Sequence, residues 1–119
     1  MLIYKIHMTG ELLGELEHLV LLCIIRLGPE SYGVPIVDEL RQHTRRTILR
    51  PSVYLALKRL EDKGLIRSRL GEPEARRGGR ARRHFVATAA GLRALRESQR
   101  TFTRLWDGVV LDKSGGGKA

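Results

Sequence analysis

Five arginines fall within eight residues, Arg76, Arg77, Arg80, Arg82 and Arg83, around the pair Gly78-Gly79. Guanidinium groups donate planar, bidentate hydrogen bonds to phosphate oxygens. Adjacent glycines permit a tight loop tip that approaches another backbone closely. The chemistry open to such a segment is recognition of a polyanion; a plain exposed polar loop is the blander alternative. A second set lies upstream. Arg50, Ser52, Tyr54, Lys58 and Arg59 interleave with Val53, Ala56, Leu57 and Leu60. On a helix, that spacing turns the four apolar side chains to one side. Pro51, Ser52, Leu55, Lys58, Arg59 and Asp62 are left on the other. A serine hydroxyl can bond a base edge or a phosphate, and Lys58 and Arg59 are placed for phosphates. Tyr54 could pack inward or extend its hydroxyl to a phosphate.

The charge distribution agrees. The 119 residues carry 22 Lys and Arg against 13 Asp and Glu, a net charge of +9. Residues 1–40 hold two basic and six acidic side chains, whereas residues 41–83 hold fourteen basic and four acidic. The excess charge therefore sits in one central block, as in a surface that meets nucleic acid.

Other chemistries lack support. Cys23 is the single cysteine, so no internal disulfide forms, in keeping with a reducing cytoplasm. It lies in LVLLCIIRL with no basic neighbour beside it to stabilise a thiolate, and reads as a core residue rather than a redox sensor. His18, Cys23, His43 and His84 do not make a zinc spacing, so no metal or cofactor is expected. Gly78-Gly79 lacks the strand–loop–helix setting of a phosphate loop, and no nucleophile has a base at a workable spacing; an enzyme is not expected. The longest apolar run, Leu19–Ile25, is far too short to span a membrane.

These groups need elements to position them. Residues 1–10 show no period and read as an N-terminal arm, with Met1 or Met8 as the start. Leu12, Leu13, Leu16, Leu19, Val20, Cys23, Ile24 and Leu27 recur at three and four, predicting a helix from Glu11, with Thr9 as its cap and Gly28-Pro29 as its end. Ser31 is the expected cap of a second helix through about His43, with Ile36, Val37 and Leu40 inward. Thr44–Leu49 connects to a third helix, Pro51 to Lys63, stopped by Gly64. Leu65–Leu70 and Arg83–Thr88 read as paired strands joined by a long basic tip. Thr88 can cap a final helix carrying Leu92, Leu95, Phe102, Trp106 and Val109 in a three–four alternation, with Asp107-Gly108 as an early break. Residues 112–119 read as a disordered tail.

The expected fold is mainly α with a small β-hairpin: a winged helix-turn-helix domain over 11–88 and a C-terminal dimerisation helix over 89–111. A helix fits the major groove of B-DNA. Arginines on a glycine-softened hairpin suit the backbone or a narrow minor groove.

Three stretches, GELEHLVLLCIIRLGPESYGVPI, SVYLALKRLEDKGLIRSRLGEP and RRGGRARRHFVATAAGLRAL, together resemble the PadR family of transcriptional regulators. The resemblance covers roughly residues 11–98, and the short final helix is similar to that of the family's smaller subgroup. It implies a bacterial, homodimeric winged-helix repressor acting on double-stranded DNA. Ser52, Tyr54 and Lys58 become contacts from the recognition helix, with Arg80, Arg82 and their neighbours on the backbone or minor groove. Leu92, Leu95, Phe102 and Trp106 become dimer contacts, with Leu12 and Leu16 of the first helix beside them. Pro51 departs from the family, which more often has a small flexible residue there, and Arg50 becomes an unusual cap that could add a phosphate contact. Trp106 could also stack a small aromatic effector against its symmetry mate, although simple packing is the weightier expectation. The competing function is a basic winged-helix module that binds RNA or protein without reading DNA sequence.

Overall fold

A computed structural model describes residues 13–71 and 82–112. Within them the chain forms α1 (Glu15–Leu27), a 3₁₀ turn (Gly28–Glu30), α2 (Gly33–Thr44), α3 (Arg50–Asp62), β1 (Ile66–Leu70), β2 (Arg83–Ala87) and α4 (Ala89–Trp106). The arm, the wing tip and the tail lie outside these residues, as do Thr9, Leu12, Arg76, Arg77 and Arg80.

The apolar stripes meet as their spacing requires. Val20, Leu21, Cys23 and Ile24 of α1, Ile36, Val37 and Leu40 of α2, and Val53, Ala56, Leu57 and Leu60 of α3 form one buried cluster, closed by Ile66 and Phe85 of the hairpin. Leu13, Leu16, Leu19 and Leu95 pack half-buried at its edge. The strands pair antiparallel, with Ile66 opposite Ala87 and Leu70 opposite Arg83.

Three helix starts differ from the sequence expectation. Helix α1 begins at Glu15 rather than Glu11. Glu17 reaches back so that its carboxylate accepts the Gly14 N–H at 3.0 Å, satisfying one of the donors every helix start leaves open. The same carboxylate, largely buried, takes Lys63 Nζ at 3.0 Å and so ties the start of α1 to the end of α3.

Ser31 is not the cap of α2; Tyr32 is, in extended backbone. Ser31 is buried, its carbonyl accepts the Phe85 N–H at 2.9 Å, and its hydroxyl finds no partner among the described residues. Long-range pairing to the hairpin outweighs the capping preference of serine. Tyr32 then bridges to His84, so the two-stranded wing gains a short third edge. In α3, Arg50 is the first helical residue and Leu49 the cap. Pro51 sits in the first turn, where a missing N–H costs nothing.

The stops agree with expectation. Gly64 has φ +74°, the left-handed geometry that lets the chain turn into β1. The Thr88 hydroxyl accepts the Gly91 N–H at 3.0 Å and donates to the Gly64 carbonyl at 2.8 Å, joining α4 to that turn. Gly91 is required by close approach, since any Cβ there would run into the Leu65 carbonyl. Helix α4 ends at Trp106, with Gly108 at φ +76°, so Val109 falls outside the helix.

Candidate nucleic-acid interface

Helix α3 is locked on one side by its buried stripe, and the opposite side carries exposed Arg50, Ser52, Leu55, Lys58 and Arg59. Lys58 pairs with Asp62 at 3.4 Å, both well exposed. Such a pair contributes little and leaves the ammonium free to turn toward a phosphate. Tyr54 lies between the two placements expected of it. Its ring end lies over Gly33, where any Cβ would collide with the hydroxyl, yet the residue stays 43% exposed. Glycine at position 33 is therefore what allows α2 to approach α3 at this point.

The turn between α2 and α3 adds exposed Arg45 and Arg46 beside the start of α3, a contribution the sequence reading did not single out. Arg46 Nη1 meets Glu15 at 2.9 Å, and this guanidinium holds the Glu15 carboxyl below its usual pKa. Arg41 donates from Nε and Nη2 to the Ile48 carbonyl at 3.2 and 3.0 Å, pinning the same turn.

At the wing root, Arg82 and Arg83 are each bonded within the fold. Arg82 Nη1 donates to the Tyr32 hydroxyl at 2.7 Å, and its guanidinium carbon sits 4.5 Å from the centre of that ring. Arg83 Nη1 donates to Ser68 Oγ at 2.9 Å, and Ser68 donates to Glu61 of α3 at 2.8 Å. The sequence identified the arginines but not these partners. Arg67 and Arg69 lie exposed on β1, opposite Val86 and His84.

The residues expected to pair two copies divide. Leu16 and Leu95 sit against the chain's own core. Phe102 and Trp106 are exposed and line a groove of about 590 Å³ between α1 and α4, with Leu13, His18 and Leu19. Leu92 lines a separate groove with Ile25, Phe85 and Val86. His18 Nδ1 and the buried Ser98 Oγ are hydrogen-bonded at 3.0 Å, and the His18 ring meets Phe102 edge to face at 6.3 Å. Burial pushes the His18 pKa down.

The remaining chemically capable residues are dispersed. His43 pairs with Glu39 at 3.3 Å, and His84 packs edge to face on Tyr32. Cys23 is buried, and burial, with the Glu39 carboxylate adding to it, pushes its thiol up to about 11. Among the described residues no cluster of His, Cys, Asp or Glu could hold a metal ion, and no helix is long and apolar enough to cross a membrane.

Three helices around one core, a two-stranded wing rooted on α2 and α3, and a trailing helix define a winged helix-turn-helix protein. The Transcriptional regulator PadR-like family matches residues 21–97, and the chain belongs to that family. It is by descent a transcriptional regulator. Solved structures agree. A PadR family transcriptional regulator from Eggerthella lenta is 32% identical, with a TM-score of 0.62 over 76% of this chain and 76% of that one. A PadR family transcription regulator from Clostridium difficile is 26% identical, with a TM-score of 0.62 over 79% of this chain and 96% of that one. A PadR-like transcriptional regulator from Bacillus cereus, 24% identical with a TM-score of 0.61 over 77% of this chain and 84% of that one, shares the fold. No relative among curated proteins matches the chain.

Proposed function

We propose that this regulator is a homodimer that binds duplex DNA in a sequence-selective manner and represses transcription by occupying its site. Residues 11–88 form the reading unit. Helix α3 enters the major groove with Ser52, Tyr54, Lys58 and Arg59, and Arg50 adds a phosphate contact. Arg76, Arg77, Arg80, Arg82 and Arg83 of the wing meet the backbone or minor groove. Residues 89–111 pair two copies, through Leu92, Leu95, Phe102 and Trp106, with Leu12 and Leu16 beside them. At Trp106, packing between the two copies is the first reading, and stacking of a small aromatic effector the second.

One observation carries this function. A rigid helix, its inner stripe fully buried, presents hydroxyl and cationic side chains in the block of the chain that holds nearly all the excess positive charge. Helix geometry makes such a face a reader of base edges, and the basic surroundings supply the affinity.

The test separates reading from anchoring. Ser52→Tyr changes the ranking of duplex sequences, by about 1–3 kcal/mol at one base position. Arg76→Ala with Arg80→Ala weakens all duplexes by similar factors and reduces the salt slope by about one per lost phosphate contact in each subunit. The unmodified dimer shows a slope of log K against log salt of at least about −5. A flat salt response contradicts duplex binding, and a preference for structured RNA favours the competing function.

A further inference from the structure

Tyr32 joins the start of α2 to the root of the wing through both its backbone and its side chain. Its backbone bridges to His84. Its ring meets the His84 imidazole edge to face at 5.3 Å. The guanidinium of Arg82 lies 4.5 Å from the ring centre while donating to the phenol oxygen at 2.7 Å. A guanidinium is planar. One hydrogen bond and one ring contact on the same partner therefore fix both its place and its tilt. The next residue, Arg83, is tied through Ser68 and Glu61 to α3. The root of the wing is thus tied to both helices of the helix-turn-helix, Arg82 through Tyr32 and Arg83 through Ser68 and Glu61.

From this geometry we propose that Tyr32 is a positioning residue for DNA binding: it holds Arg82 in the orientation that meets a backbone phosphate and keeps the wing in register with α3. The inference rests on duplex binding as proposed above. A long cationic side chain loses rotamer freedom when it engages a phosphate. Tyr32 imposes part of that ordering before DNA arrives. Arg82 has five N–H donors, and its bond to the phenol uses one of them.

The test is a double-mutant cycle on the full chain, using the duplex that the unmodified protein selects. Tyr32→Phe keeps the ring and removes only the hydroxyl. It is expected to leave the melting temperature nearly unchanged, to weaken binding about tenfold, and to make the salt slope shallower. In the Arg82→Ala background the same substitution has no further effect, since its route to DNA is gone. Arg82→Lys keeps the charge but not the planar fit, and falls between the unmodified protein and Arg82→Ala. Two results overturn the proposal while leaving duplex binding intact: Tyr32→Phe binds as the unmodified chain does, or its effect persists in full without Arg82. If the unmodified chain binds no duplex while remaining folded, the DNA-binding function and this inference fall together.

Discussion

Helices α3 and α4 are both amphipathic, and they dispose of their apolar faces in opposite ways. In α3, Val53, Ala56, Leu57 and Leu60 are sealed in the core, none more than 3% exposed. In α4, Phe102, Leu105 and Trp106 remain 58%, 70% and 56% exposed, and the residues it buries are Gly91 and Ser98. The same kind of pattern thus does two jobs. Where the stripe is buried within the chain, the outer face of the helix becomes a rigid surface for contact. Where it stays open, the stripe is a cluster of large exposed apolar side chains, the kind of patch that on a small domain suits an interaction. A second copy is the occupant proposed here.

The largest expected effect is on α3. Leu57→Ala removes buried volume from the middle of the core and lowers unfolding stability by about 2–5 kcal/mol, read by denaturant titration. Phe102→Ala with Trp106→Ala is expected to act on association instead. Aromatic anchors at interfaces contribute about 2 kcal/mol or more each, so sedimentation should show the dimer dissociating at concentrations where the unmodified chain stays paired. Protection of α3 amides from hydrogen exchange, measured above the dissociation midpoint, should hold. If the α4 pair unfolds the core as thoroughly as Leu57→Ala does, the contrast between the two helices is wrong.

The smallest effect concerns the seam between α1 and α4. Burial lowers the His18 pKa from its ordinary value near 6.5, so the folded state prefers the neutral ring. The unfolded chain then binds more protons between the two values, and stability rises with pH in that window. The stabilisation is complete above about 6.5, declines as pH falls toward the lower folded value, and levels off beneath it. Melting temperatures at pH 7.5 and 5.5, compared between the unmodified chain and His18→Gln, isolate this contribution from the carboxylates. A variant with an unchanged acid response would remove His18 from the account.

What the sequence made legible follows from how local each signal is. The stripe of α3, the left-handed stop at Gly64, the Thr88 cap and the break at Asp107-Gly108 are set by residues within a turn or two, and all appear in the structure. The start of α2 is set from a distance: Ser31 and Tyr32 are held by Phe85 and His84 of the wing, so a local capping rule misplaced it. The Glu17–Lys63 pair and the Tyr32–Arg82 contact join residues far apart in the chain, and no spacing rule exposes them. At the interface, residue types were legible and their partners were not. Arg82 and Arg83 read as free cations for a polyanion, whereas each is also bonded within the wing root.

The central claim, that α3 and the wing of a two-fold dimer read duplex DNA, is tested most directly by selecting bound duplexes from a random pool with the full chain. The account predicts enrichment of one motif with two-fold symmetry and half-sites about one helical turn apart, roughly 10 base pairs. Recovery of no motif, or of an asymmetric one, by a chain that is folded and active in salt-dependent binding would contradict it.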